Sequence, residues 1–286
     1  MSREERAAEL KKNNTKDELI ELILKLEEAP VVGESGAGKS TLGTVVIPFK
    51  QGPAAGNELQ YAIRAWEAHY PALEQIIIIG DTPLFANDKL IVIEHKSESS
   101  NPQIDVAHKM AIAIASELVP DEFIWSNDDI YPVQNITEVD VRKVTYNGQL
   151  NSKHNGTLYS ANRQATIKVL KEAGLDTLDY DTHTPFVFNK EGLAQMLDVY
   201  NCLNQGHLIS SLFFNTLPYA SSPVLVTDDK EGKGNYVVSV RRDGVTMAAL
   251  KAAIENRKFL YHTDAGWPLV ASYIKSKHLN KSSFEK

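Results

Sequence analysis

The segment Phe123-Ile124-Trp125-Ser126-Asn127-Asp128-Asp129 is an apolar run that stops on an amide and two adjacent carboxylates. A strand of a parallel sheet ending this way puts two negative charges where such sheets present ligands, outside the carboxyl edge. Magnesium and manganese prefer oxygen ligands and sit on one or two carboxylates while a substrate diphosphate completes the shell. Asp128 and Asp129 supply that number, so the segment outlines a site for a metal and a diphosphate. Turn chemistry explains the same residues equally well, because Asn and Asp are favoured wherever a strand gives way to a loop.

A second motif competes with it. Gly33-Glu34-Ser35-Gly36-Ala37-Gly38-Lys39-Ser40 matches the phosphate-binding loop pattern in full, and would place Gly38, Lys39 and Ser40 on a nucleotide phosphate. A working loop of this kind joins a buried strand to a helix, whose N-terminus cradles the phosphates. Only Val31 and Val32 are available as that strand, and the loop is followed by the β-branched run Thr44-Val45-Val46-Ile47 and then Pro48. Both flanks oppose the motif. Ile76-Ile77-Ile78-Ile79-Gly80-Asp81 can imitate the apolar strand and aspartate that hold magnesium in such enzymes, which keeps a nucleoside triphosphatase or kinase as an alternative.

The elements that must position these residues are readable from periodicity. Thr15-Lys16-Asp17-Glu18 has capping-box spacing, and Leu19, Leu22, Ile23 and Leu26 follow at helical spacing, which predicts a short amphipathic helix over 15–28. That helix faintly resembles the first helix of small helix-extension-helix modules, and reads equally as a docking or oligomerising helix. A Gly, Ser, Ala and Thr-rich linker follows over 30–44. From there strand and helix alternate: strands at 45–48, 76–79, 90–93 and 122–126, helices at 57–69 and 105–118. Such alternation implies parallel pairing with crossover helices. Beyond 130 the pattern loosens, with helices expected near 161–173, 190–200, 207–214 and 246–257 and a strand at 235–240.

Four motifs stand in order: Asn57-Glu58-Leu59-Gln60-Tyr61-Ala62-Ile63-Arg64, then Ile76 to Asp81, then Asn127-Asp128-Asp129, then His183-Thr184-Pro185. This series, over roughly residues 45 to 215, resembles the Stealth family of sugar-phosphate transferases and, more broadly, nucleotide-sugar transferases of the GT-A fold. In the Stealth pattern an Asn/Gly-Glu-Leu-x-Tyr-x-x-Arg helix precedes a strand, an Asn-Asp-Asp box and a later His-x-Pro. The chain departs from that pattern at its opening strand, Val45-Val46-Ile47-Pro48-Phe49-Lys50, where Stealth proteins carry a Thr-Trp-Val-Asp-Gly-like strand. Transfer of a sugar and transfer of a sugar phosphate therefore both stay open.

The resemblance implies a GT-A-like, Rossmann-like α/β domain: a mostly parallel sheet flanked by helices over 45–286, with a nucleotide-sugar half (45–130) and an acceptor half (131–286) behind a helical extension (1–29). It implies a metal-dependent glycosyltransferase with a nucleotide-diphosphate sugar as donor. Asp128 and Asp129 would hold manganese or magnesium, with His183 as a third ligand or as a general acid/base beside Asp181. Asn57, Glu58, Arg64, Asp81 and Asn127 would bind the donor, the arginine through a bidentate fork on phosphate. A solvated ion pair on the helix surface accounts for Glu58 and Arg64 as well. The acceptor class, whether glycan, protein, small molecule or modified nucleic acid, is open.

Composition narrows the field. The 286 residues are 43% hydrophobic and 23% charged, as expected of one large globular α/β domain. A formal net charge of −7 gives no global attraction to nucleic acid. The one cysteine, Cys202, excludes an internal disulfide and a cysteine-rich zinc site. A charged start, Met1-Ser2-Arg3-Glu4-Glu5-Arg6, and the lack of an apolar run near the roughly 20 residues that span a bilayer lead to the expectation of a cytoplasmic protein without a membrane span. Trp66 and Trp125 read as core, Trp267 as a possible acceptor platform, and Arg241-Arg242 as a possible phosphate contact.

Overall fold

The computed structural model describes residues 42–52, 56–217, 223–226, 236–241 and 244–286. The expected helix at 15–28, nearly all of the linker, the phosphate-loop residues Gly38, Lys39 and Ser40, and Arg242 lie outside the described residues.

The first half runs β1 (Thr44–Phe49), α1 (Glu58–His69), β2 (Gln75–Gly80), β3 (Ile91–Glu94), α2 (Pro102–Ala115), β4 (Glu122–Trp125) and β5 (Ile130–Pro132). The second runs α3 (Glu138–Val141), β6 (Thr145–Tyr146), α4 (Leu158–Glu172), β7 (Phe186–Asn189), α5 (Lys190–Val199), α6 (Ile209–Thr216), β8 (Val224–Leu225), β9 (Val237–Val240), α7 (Met247–Ile254), β10 (Phe259–His262) and α8 (Trp267–Lys277). The main sheet has five strands in the order β3-β2-β1-β4-β7. Its pairs are parallel except β4–β7, so the parallel pairing expected from the alternation holds up to β7, which returns antiparallel at the edge. A three-stranded sheet β5-β10-β9 and a two-stranded pair β6-β8 complete the described sheets.

Period-2 alternation sends successive side chains of each central strand to opposite faces. Val46, Ile77, Ile79, Phe123, Trp125, Phe186 and Phe188 pack into one core with residues of α2, α4, α5 and α6. Val45, Ile47, Ile76, Ile78, Ile124 and Val187 pack into a second with Leu59, Ile63 and Trp66 of α1. The result is the fold class expected from the sequence, a mainly parallel sheet flanked by helices. Among the described residues no helix is long and apolar enough to cross a membrane.

Two local features fix α1 and the β1–β2 edge. Gly80 has φ 140° and pairs with Phe49; a Cβ there would lie 1.8 Å from the Phe49 carbonyl oxygen, so only glycine fits. On the outer side of α1, Arg64 meets Glu285 through a fork, Nε to Oε1 at 2.6 Å and Nη2 to Oε2 at 2.7 Å, while Nη1 donates to the His278 carbonyl. These bonds and the positive charge of Arg64 outweigh the effect of burial and push the Glu285 carboxyl down to about 2.

Two measurements test these features. Gly80→Ala is expected to lower unfolding free energy by about 1–3 kcal/mol in urea titration, because both the close approach and the positive φ oppose a side chain. Glu285→Gln leaves the Arg64 charge uncompensated and is expected to cost on the order of 3 kcal/mol at pH 7. The folded pKa is depressed, so the gap between wild type and variant should be full above about pH 4.5 and should close as pH falls toward about 2.

Candidate active site

β4 stops after Trp125 because Ser126-Asn127-Asp128-Asp129 turns the chain. The Ser126 amide still donates to the Val46 carbonyl at 3.0 Å, and the Ile130 amide closes the turn on Asn127 O at 3.3 Å. β1 continues beside β2 as far as Phe49, but its register with β4 covers only Val45 and Val46. Backbone groups alternate sides along a strand, so Pro48 faces the same side as Val46, beyond the end of β4. A residue without an N–H costs no ladder bond there.

The crevice lies between β1 and β4. From β1 the chain steps outward to β2 and β3 on one side and then returns to β4 on the other, which makes this the topological switch point. Open α/β sheets bind ligands in that position. It is filled here by a cleft of about 580 Å3. Pro48 and Lys50 form one wall, Glu58 at the start of α1 another, and Asn127, Asp128 and Asp129 the base. Asp105 and Lys109 of α2, the serines 97, 99 and 100 before it, Tyr261 and His262 of β10, and Thr263 and Asp264 after it close the remainder.

The carboxylates are under electrostatic load. Burial, with Glu58 adding to it, pushes Asp128 up to about 6, against a counter-effect from Lys109. Burial and the neighbouring Asp128 hold Asp129 well above the ordinary carboxylate range, with Asp181 and Glu58 contributing. Asp129 Oδ1 is buried without a hydrogen-bond partner. Glu58 Oε2 accepts from the Gly56 amide at 2.9 Å. Lys109 is buried and pairs with Asp105 at 2.9 Å; burial opposes ionisation of Asp105, but the bonds from Lys109 and Ser97 outweigh it and its pKa is lowered.

A divalent cation fits this pair of carboxylates, because it would supply a partner for the orphaned oxygen and relieve the repulsion, and all-oxygen donors suit manganese or magnesium. Among the described residues no group of three or more His, Cys, Asp or Glu side chains gathers closely enough to hold a metal. His183 lines an adjoining cavity, whereas Asp128 and Asp129 line the cleft. The His183 ring stacks on Tyr261, with centroids 3.6 Å apart and planes at 6°. Burial lowers its pKa, against the raising effect of Asp181, so the imidazole is neutral at pH 7. The backbone at His183 is left-handed, φ 53°, a strained region for a non-glycine residue. The flanking Thr182 and Thr184 hold it there, their hydroxyls forming a closed triangle with Thr145 at 2.8–3.0 Å.

The other expected residues divide. Glu58, Asn127, Asp128 and Asp129 come together in the cleft, while Asp181 and His183 line a smaller adjoining cavity that also touches Asn127. Asp181 accepts from Tyr159 OH at 2.7 Å. Asp81 lies at the end of β2, where its carboxylate accepts from the Gln51 amide at 2.7 Å, and it does not line the cleft. Asn57 is exposed at the head of α1 and makes no side-chain cap. Arg64, expected on phosphate, is committed to Glu285 and the His278 carbonyl instead, because α1 turns it toward the C-terminal segment. Trp66 and Trp125 are core residues, as read; Trp267 is buried against His262 at 4.8 Å rather than offered to an acceptor.

Sequence reasoning missed Lys109, Asp105 and the Tyr261–Asp264 segment. An Asp and Lys four apart on a helix read as an ordinary solvated pair, and nothing local marks them as buried. His262 donates from Nδ1 to the Thr263 carbonyl at 3.1 Å, so Nε2 accepts from Tyr131 OH at 3.0 Å; burial, which lowers its pKa, agrees with this neutral form.

Fold and site together define an α/β domain with a paired-carboxylate cleft at the sheet's switch point. No protein-family model matches the sequence, and no curated protein matches it. Among solved structures the chain is similar to the galactosyltransferase LgtC in complex with donor and acceptor sugar analogues, at 10% identity and a TM-score of 0.47 over 84% of this chain and 98% of that one. The Stealth resemblance thus rests on the residues quoted for it.

If the acidic pair is held for a cation at the expense of the fold, Asp129→Asn should stabilise the metal-free protein. A gain on the order of 1 kcal/mol is expected in chelator, the size of one pKa unit of differential interaction. Urea titration with and without manganese checks it: manganese should stabilise wild type and leave the variant unchanged.

Proposed function

We propose that the protein is a metal-dependent glycosyltransferase that moves a sugar from a nucleotide-diphosphate sugar to a glycan, protein, small-molecule or modified nucleic-acid acceptor. The observation that carries this reading is the buried carboxylate pair at the switch point, with one oxygen left without a partner in a cleft large enough for such a donor. Asp128 and Asp129 would hold the cation, which supplies Lewis-acid neutralisation of charge on the departing diphosphate.

The chain's own groups have separate tasks in this scheme. Lys109 and Lys50 set positive charge along the cleft where phosphate oxygens would lie. Serines 97, 99 and 100 offer hydrogen bonds to the same region. Glu58, held by the Gly56 amide, accepts from donor hydroxyls. His183, neutral and fixed by its stack on Tyr261, accepts the acceptor's hydroxyl proton, and the Asp181 charge raises the basicity of that ring. The halves 45–130 and 131–286 correspond in this scheme to donor and acceptor sides.

Asp128→Asn and Asp129→Asn are each expected to lower kcat by about 100-fold or more, judged by the size of single electrostatic contributions at active sites. The measurement is donor turnover with manganese, with nucleotide products resolved by chromatography. Nucleoside diphosphate supports the glycosyl reading, whereas nucleoside monophosphate replaces it with sugar-1-phosphate transfer at the same site. Activity lost in Lys39→Ala but kept in Asp129→Asn would overturn both in favour of the phosphate loop.

A further inference from the structure

The smaller cavity beside the cleft has a volume of about 100 Å3 and shares Asn127 and Val106 with it. We infer that this cavity is a subsite for an acetamido substituent, so that the sugar transferred is an N-acetylated hexosamine. The inference rests on the transferase reading above and narrows its substrate class.

Size comes first. Whole-ligand sites occupy roughly 300–1,000 Å3, so this cavity takes a substituent and leaves the sugar ring in the larger cleft. Its lining is divided. Trp125, Phe186, Phe188 and Ile209 are buried apolar side chains facing it, while Asn127, Asp181 and Ser210 are partly exposed polar ones.

A hexose hydroxyl set against the apolar side would give up its bonds to water without replacement. A bare methyl group would leave the polar side to be desolvated unpaired. A carboxylate substituent would face Asp181 and the negative pair behind Asn127. An acetamido group divides as the cavity does, with its methyl toward the aromatic rings and its amide N–H and C=O toward Asp181, Asn127 and Ser210.

The walls are also fixed in place. His183 lines the cavity and is held by its stack on Tyr261, and Thr184 by the hydroxyl triangle. Rigid walls are what allow a small cavity to discriminate.

The test is a comparison of paired donors with manganese: N-acetylglucosamine against glucose, and N-acetylgalactosamine against galactose, each on uridine, thymidine or guanosine diphosphate. The acetamido member is expected to be favoured at least about 10-fold in kcat/KM, the lower end of what one methyl group in an apolar pocket provides. Ser210→Leu, which fills the cavity from its partly exposed side, is expected to reduce that ratio about 10-fold or more. The ratio does not depend on how much of the variant folds. Equal use of both members, preference for the plain hexose, or a ratio unchanged in Ser210→Leu overturns the assignment. Turnover of neither member of any pair removes the transferase reading and this inference with it, a result distinct from turnover without preference.

Discussion

The site depends on unequal pairing along one strand. β1 stays with β2 through Phe49 but leaves β4 after Val46, so one side of its last residues has no strand beside it. That gap is the crevice. Elements on either side contribute to it: the turn after β4 brings Asp128 and Asp129, and the start of α1 brings Glu58. Proline at position 48 is compatible with a central strand only because its missing donor points into this gap.

Burying two acids together opposes folding, and the surrounding structure offsets it rather than removing it. Lys109 is itself tied to Asp105, so its charge softens Asp128 without neutralising it. Negative charge is left in surplus at the one place where an apolar, doubly covered sheet can tolerate it, its open end. Sites of this kind are where stability and function pull apart.

The central sheet was legible in the sequence because β1, β2 and β4 are runs of β-branched and aromatic residues bounded by turn residues, and because α1 and α2 carry helical periodicity. β7 and β10 were not, since Phe186–Asn189 and Phe259–His262 are short and lie beyond residue 130, where the regular alternation of strand and helix that identified the equally short β3 and β4 gives out. The acidic box was visible as types at a spacing. The partner of Arg64 was not legible, because periodicity gives the face of a residue but not its neighbour: Glu285 lies 221 positions away. His183 was found by its motif, yet its real contact, Tyr261, belongs to a strand that the pattern did not reveal.

That contact adds a ring stack between two sheets that also share a core, in which Ile130, Val237 and Phe259 pack with Val45, Ile124 and Val187. His183 sits in the approach to β7 of the main sheet, and Tyr261 on β10 of the small one, so their facing rings act as a weld between the two at the site itself. Any shear of one sheet against the other must also disturb this pair. A misalignment of the two sheets is thereby felt at the site itself, because one of the two rings belongs to a side chain that lines it.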